Sequence, residues 1–361
     1  MRPSLNTEYM ELGRAPASSA RQDREVKSVP LPTENALDTA QRRALLEHYG
    51  TQSSSYFNLQ KGVEHFGAEG MGYVSYFRQR FWGMDFNIAF TRPICARSDV
   101  QSLIKSLEST TQRPTVFMAV DSECAGLLAD LGYRCNDIGV EYSLGIHDFD
   151  LKGRDKKYLR WASNFAQRGF EVKEQSWDEV DAQRVYEISR QWLGTKAVSS
   201  RELRLITRPP DFEDAWKVRK FFCYQHGRLV GFVFFDPFFE NGRILGYTAN
   251  ILRACPGVKP NGLLDFTILE AMKRFRAEGV SRLSLGLAPL HELEATRGEI
   301  KSLRYFQQWM YRYGNFLYAF QALAYHKTRY RAESEHWYQC IPEGISIPRA
   351  TIATLKAIRV I

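Results

Sequence analysis

One order of elements occurs twice along this chain, and that repetition limits the folds open to it. In the first half a helix ("LDTAQRRALLEHY") leads into "MGYVSYFRQRFWGMDFNIAF", which alternates like two strands paired around a turn. A helix ("DVQSLIKSLEST"), a buried strand ("PTVFMAV"), a helix with an acidic start ("DSECAGLLADLGY") and a strand ("IGVEYSLGI") follow. The second half has a helix ("DEVDAQRVYEISRQWL"), a hairpin turning at Gly227 ("KFFCYQHGRLVGFVFFDPF"), a strand ("GRILGYTANIL"), an amphipathic helix ("GLLDFTILEAMKRFRAEG") and a strand ("VSRLSLGL"). Between them "RDKKYLRWASNFAQRGFEV" reads as a joining helix ended by Gly169. A repeated mixed unit predicts an α/β (α+β) fold of two similar domains, and 361 residues are too many for one compact core. The expected division is a disordered N-terminal arm over 1–35, a first domain over 36–150 and a second over 151–361.

The stretch "LSLGLAPL", residues 283–290, needs its own explanation. Strands favour bulky β-branched residues, and a glycine inside one marks a close approach or a bulge. Here Ser284, Gly286 and Ala288 alternate with leucines before the run stops at Pro289. The stretch is the last central strand of the second unit, and its C-terminal end is where open α/β sheets bind ligands. The small residues are expected to leave room for substrate between splayed strands.

The formal charge of +8 and pI of about 9.1 call for an anionic partner: nucleic acid, anionic lipid or a phosphorylated cofactor. Six scattered cysteines without a C-x-x-C pair fit reduced thiols in the cytoplasm and provide no metal site. The polar N-terminus has no apolar h-region, so no signal peptide is expected, and no run of residues is long and apolar enough for a membrane span.

Four segments, in order, resemble the C-terminal catalytic region of the phosphatidylglycerol lysyl- and alanyltransferases. Leu285-Gly286-Leu287-Ala288-Pro289-Leu290 matches that family's L-G-x-A-P-L. "EISRQWLGTK" is similar to its I-S-x-x-W-L-x-x-K through Ile188, Ser189, Trp192, Leu193 and Lys196. The joining segment matches at Gly153, Leu159, Arg160, Asn164, Arg168 and Gly169, and the closing one at Tyr318, Phe320, Leu323 and Lys327. The resemblance implies two tandem GNAT-like (acetyltransferase-like) domains. The implied activity moves an amino acid from aminoacyl-tRNA to a lipid or small-molecule acceptor. It also implies a protein free of cofactor, cytoplasmic or peripheral at the inner face of the membrane, with contact to anionic lipid. The transmembrane region usually fused upstream in the family is missing from the sequence, so a free-standing soluble member is expected.

An aminoacyl ester is already activated, so positioning, charge stabilisation and a base for the acceptor suffice. The absence of G-x-S-x-G, G-x-x-x-x-G-K-[ST] and H-E-x-x-H agrees with this. The family's D-x-x-R reads "NILR" here: Asn250 stands at the aspartate position and Arg253 is kept. An amide orients a carbonyl but accepts no proton, which makes His291, just past Pro289, the replacement base. Arg253 is expected at the tRNA terminal phosphate or the oxyanion. Gly286, Ala288, Glu292, Lys327 and Glu335 are the expected substrate contacts. Lys156, Lys157, Arg160 and Arg168, with Lys152 and Arg154, form the basic cluster expected on the acceptor stem. Trp192 reads as core. The other functions this fold allows are an N-acyltransferase using acyl-coenzyme A or acyl-carrier protein, for which Gly257 and Gly262 before a helix would face phosphate, and a non-catalytic tRNA- or membrane-binding module.

Overall fold

The structure is a computed structural model, and it describes residues 31–195, 202–205, 207–212, 215–316 and 318–361. The first half contains β1 (Thr33–Glu34), α1 (Thr39–Tyr49), β2 (Glu64–Ala68), β3 (Gly72–Phe81), β4 (Met84–Phe90) and β5 (Ile94–Cys95). It continues with α2 (Val100–Thr111), β6 (Thr115–Val120), α3 (Ser122–Asp130) and β7 (Tyr133–Gly145). The second half contains α4 (Lys157–Ser163), β8 (Phe170–Glu174), α5 (Ala182–Gly194), β9 (Arg219–Gln225), β10 (Arg228–Glu240), β11 (Arg243–Ala254) and α6 (Leu263–Ala277). β12 (Arg282–Pro289), α7 (Lys301–Tyr313), α8 (Phe320–Thr328), β13 (Glu333–Pro342) and α9 (Ile347–Ile358) close the chain.

All the described strands join one mixed sheet, ordered β1-β2-β3-β4-β6-β13-β7-β12-β11-β10-β9-β8, with β5 beside β3. Each half has the same plan: antiparallel hairpins lead to one parallel pair, β4 with β6 and β11 with β12. Both hairpin turns follow their sequences. Trp82-Gly83 and His226-Gly227 all have positive φ, the geometry whose twist suits a two-residue turn. The end of the chain returns to the first half: β13 pairs with β6 and β7, and α9 packs on β3 and β4.

The structure departs from the sequence at two places. The joining segment is not one helix, because Gly169, at φ +76°, ends a 3₁₀ turn and "FEV" enters β8. The N-terminal arm does not extend through residue 35, since Thr33 and Glu34 pair with Gly67 and Phe66 of β2. Residues 1–30 of that arm lie outside the described residues.

Candidate functional site at the fork between β11 and β12

The parallel pairing of β11 and β12 is short. It runs from Gly246 opposite Arg282 to Thr248 opposite Ser284 and then stops, although both strands continue. Beyond Thr248, β11 stays with β10; beyond Ser284, β12 stays with β7. Each prong has a β-bulge just past the fork, with Asn250 the extra residue on β11 and Leu285 the extra residue on β12. Bulges bend a strand and re-aim its side chains, and they open this sheet from within.

The β12 prong explains its small residues. Gly286 has φ +77°, a conformation that L side chains resist, and a Cβ there would lie 3.4 Å from Lys327 Nζ. Lys327, buried on α8, donates to the Leu287 carbonyl at 2.6 Å. The Ser284 hydroxyl donates to Glu141 of β7, also buried, and accepts from Gly286 N at 2.9 Å. Burial pushes the Glu141 carboxyl up to about 7, against the hydrogen bond from Ser284. Burial likewise pushes the Lys327 ammonium down to about 7, opposed by the charge of Glu141. The two groups do not form an ion pair, but each feels the other's charge at the fork. Glu335 stands opposite Glu141 across β13 and β7, exposed where Glu141 is buried. Ala288 is core, packed in the large cluster under α6. We predict that Gly286→Ala lowers stability by about 1–2 kcal/mol, the cost of a left-handed L residue, measured by denaturant unfolding.

On the β11 prong, both ends of the Asn250 amide are already engaged. Its Nδ2 donates to Asp236 Oδ2 at 2.8 Å, and its Oδ1 accepts from the Thr207 hydroxyl at 2.8 Å. Asp236 is fully buried, holds Arg208 through two hydrogen bonds and lies on β10 opposite Thr248. Arg253 follows Asn250 along β11, about 10 Å further from the fork at ~3.3 Å per residue. Its guanidinium stacks 4.0 Å from the Trp192 ring centroid and binds Glu202 at 2.7 and 2.8 Å. Its buried Nη1 has no hydrogen-bond partner among the described residues. Glu202 opens onto a cleft of about 520 Å³ lined by Tyr186, Ser189, Arg190 and Phe212. Trp192 thus supports Arg253 directly, while Lys196 of the same motif lies outside the described residues.

A buried polar segment, missed in the sequence, closes the fork from the first half. Gln52, Ser53, Ser54, Ser55, Asn58 and Gln60 are all buried. Thr248 donates to the Ser53 carbonyl at 2.6 Å, and Gln52 donates to the Ala119 carbonyl of β6 at 2.7 Å. The segment therefore ties one parallel pair to the other. Its signal was available: "TQSSSYFNLQ" has short polar residues with neither helical nor strand period.

The remaining expected residues are dispersed. His291 is pinned between Leu290 and Glu292, which both have positive φ, and its Nδ1 lies 2.9 Å from the Tyr311 hydroxyl. Glu292 is exposed beside Tyr142. In the basic cluster, Lys156 is turned inward: it donates to the Asp150 carbonyl at 2.9 Å and lies over the Phe149 ring. Arg160 directs its Nη1 to the Leu151 and Gly153 carbonyls. Lys152, Arg154, Lys157 and Arg168 are exposed. The N-terminus of α6 is covered. A Cβ at Gly262 would meet Tyr158, Trp161 and Phe165 at 3.0–3.2 Å. The first turn also holds its own anion, Asp265, which accepts from Arg329 and Tyr330 at 2.9 Å each. Burial pushes that carboxyl up, but His326, Arg329 and Tyr330 more than offset this and hold it below the usual range. Among the described residues no cluster of metal-ligating side chains is found.

The sequence matches the family described as phosphatidylglycerol lysyltransferase, C-terminal, over residues 43–341. The phosphatidylglycerol lysyltransferase of Bacillus subtilis is 24% identical over 224 residues, which are 60% of this chain and 25% of that protein. An uncharacterized protein of Corynebacterium glutamicum is 23% identical over 337 residues, 90% of this chain and 41% of that protein. The chain thus spans less than half the length of either relative. L-PGS from Bacillus licheniformis shares the fold with a TM-score of 0.71 at 18% identity, over 89% of this chain and 97% of that one. The C-terminal domain of a protein named as a lysylphosphatidylglycerol synthetase from Agrobacterium fabrum gives 0.70 at 18%, over 89% and 95%. The mixed α/β fold expected from the sequence is the one found, and it is the fold of L-PGS. With most of its length matched, the chain belongs to the phosphatidylglycerol lysyltransferase C-terminal family.

Proposed function

We propose that this chain transfers an amino acid from aminoacyl-tRNA to a lipid hydroxyl, with phosphatidylglycerol as the acceptor that the family name gives. One observation carries the choice of donor. Acetyltransferase folds bind the diphosphate of coenzyme A at a helix N-terminus, where free N–H groups and the helix dipole attract it. In this chain the corresponding position on α6 has Tyr158 and Trp161 packed against Gly262 and the Asp265 carboxylate, held by Arg329, in its first turn. A diphosphate would meet aromatic rings and a carboxylate. The donor must then be held elsewhere, and a tRNA brings its own contacts along an extended basic surface.

The chemistry runs at the fork. The acceptor oxygen attacks the ester carbonyl, the ester bond to the terminal ribose breaks, and the proton of the acceptor passes to the departing ribose oxygen. Lys327 in its neutral form takes that proton and returns it, replacing the aspartate that the family places at position 250. Asn250 is a positioning residue that fixes Asp236 and Thr207 rather than touching the ester. Arg253, further along β11 than the fork and buried against Trp192, is a positioning residue that holds Glu202 at the edge of the cleft. His291 orients Tyr311 and the loop after β12 instead of acting as the base. Ribonuclease treatment of the donor tests the reading: transfer is abolished if tRNA supplies the amino acid and survives if an acyl thioester does.

The exposed Lys157 and Arg168 are the acceptor-stem contacts in this reading, in place of the inward-turned Lys156 and Arg160. Reversing both to glutamate weakens tRNA binding and reduces the slope of log K against log salt by roughly 0.7–0.9 for each phosphate that is no longer neutralised. Filter binding at several salt concentrations measures it. An unchanged slope would move the RNA surface away from α4.

A further inference from the structure

α7 is built the wrong way round for a helix of a soluble protein. Its inner side carries Leu303, the half-buried Tyr311, and the buried Gln307, whose Oε1 has no partner among the described residues. Its outer side carries Tyr305, Phe306, Trp309 and Tyr313, which are 60%, 50%, 50% and 62% exposed. At 100° per residue these four fall within one arc of about 100°, with Arg312 and Lys301 on its edge and Arg304 beyond. The helix has no acidic residue. Apolar side chains usually turn to the core, so a contiguous aromatic stripe facing water marks a contact surface.

We propose that α7 is a membrane-docking helix that lies flat in the interface of a bilayer containing anionic lipid. Three features select this occupant. Trp and Tyr are the residues that settle at headgroup depth, with an apolar ring and a polar tip. The exposed basic edge of Lys301 and Arg312 complements anionic headgroups, whereas Arg304 is paired with Glu299, and an interfacial helix combines an aromatic face with such an edge. The rings also pack on one another: Phe306 stacks on Trp309 at 6.2 Å, and Trp309 meets Tyr313 at 6.0 Å. That arrangement makes a continuous apolar ridge and leaves fewer open faces for stacked RNA bases. The helix follows the open end of β12 after one loop, so docking would bring the β12 side of the fork toward the lipid surface. A second exposed aromatic, Trp82 at the β3–β4 turn, is stacked on Phe81 and faced by Arg349. Phe81 and Leu303 pack against the same core cluster.

This inference rests on the lipid acceptor proposed above, and its test separates the two. The whole chain is sedimented with vesicles of phosphatidylcholine alone or with added phosphatidylglycerol. The expected result is binding to the mixed vesicles, weakened about tenfold or more by Phe306→Ser with Trp309→Ser, as removal of two buried rings implies. Lys301→Glu with Arg312→Glu is expected to abolish the preference for anionic vesicles. All four positions are on the outer side, and unchanged thermal melting confirms the fold in each variant. Transfer to a monomeric short-chain phosphatidylglycerol should be the same for the aromatic variant and the parent, while transfer to vesicles falls. Equal vesicle binding by the aromatic variant and the parent overturns the proposal. So does a loss of tRNA binding in that variant with vesicle binding intact, which would make α7 an RNA platform. If the parent binds vesicles through α7 but transfers nothing to either acceptor, the docking surface stands and the proposed reaction fails.

Discussion

Replacing Asp236 by alanine is expected to destabilise the protein by about 3–5 kcal/mol, because it leaves the Arg208 guanidinium buried without its counter-charge. Both side chains are buried, and the carboxylate also holds the Asn250 amide. The effect reaches beyond the pair. Arg208 belongs to a segment whose neighbours Arg204 and Leu205 bind the Ala357 and Ile358 carbonyls and the Gln60 side chain in the other half. Urea unfolding measures the destabilisation. Pairing Asp236→Leu with Arg208→Met should recover much of it, since replacing both ions with apolar side chains removes the uncompensated charge. Full destabilisation in the double variant would show that the segment depends on packing that methionine cannot supply.

Lys327→Met gives the opposite balance: a large loss of transfer and little loss of stability. Without the lysine the buried Glu141 keeps its proton, so no bare charge is left inside. The removal of a general base costs about 10²–10⁴ in rate. In the parent protein, transfer should rise with pH through about 7 as the ammonium loses its proton. Glu141→Gln removes the charge that opposes burial at Lys327, so the midpoint of that rise should shift to lower pH. Initial rates between about pH 5 and 9 check both statements. An unshifted midpoint, or a methionine variant with normal turnover, would take Lys327 out of the chemistry.

The repeat of elements was legible because amphipathic period and turn residues are local properties. Gly227 and Gly169 ended elements where the sequence placed them, since positive φ is a demand that glycine meets cheaply. What the sequence did not reveal depends on neighbours distant in the chain. β13 is a plain strand until its placement between β6 and β7 brings Glu335 beside Glu141. Glu141 itself sits within an ordinary alternating strand, and only burial near Lys327 makes it a candidate for the proposed site. Asp236 gave a signal that could have been used. A lone carboxylate within "FVFFDPFF" must be buried and therefore needs a partner, although the identity of that partner, Arg208, follows only from the fold. Gly286 was singled out correctly as unusual, but the space beside it holds the ammonium of Lys327.

If the fork between β11 and β12 moves an amino acid from RNA to lipid, as proposed, the amino acid of a charged tRNA must end in the lipid. The most direct measurement supplies aminoacyl-tRNA labelled in the amino acid, phosphatidylglycerol vesicles and the purified chain, and counts label in the extracted lipid. Label is expected in the lipid, and it is expected to disappear with prior ribonuclease digestion and with Lys327→Met. Lipid left unlabelled by charged tRNA, together with transfer from an acyl-coenzyme A by the same preparation, would contradict the proposed transfer.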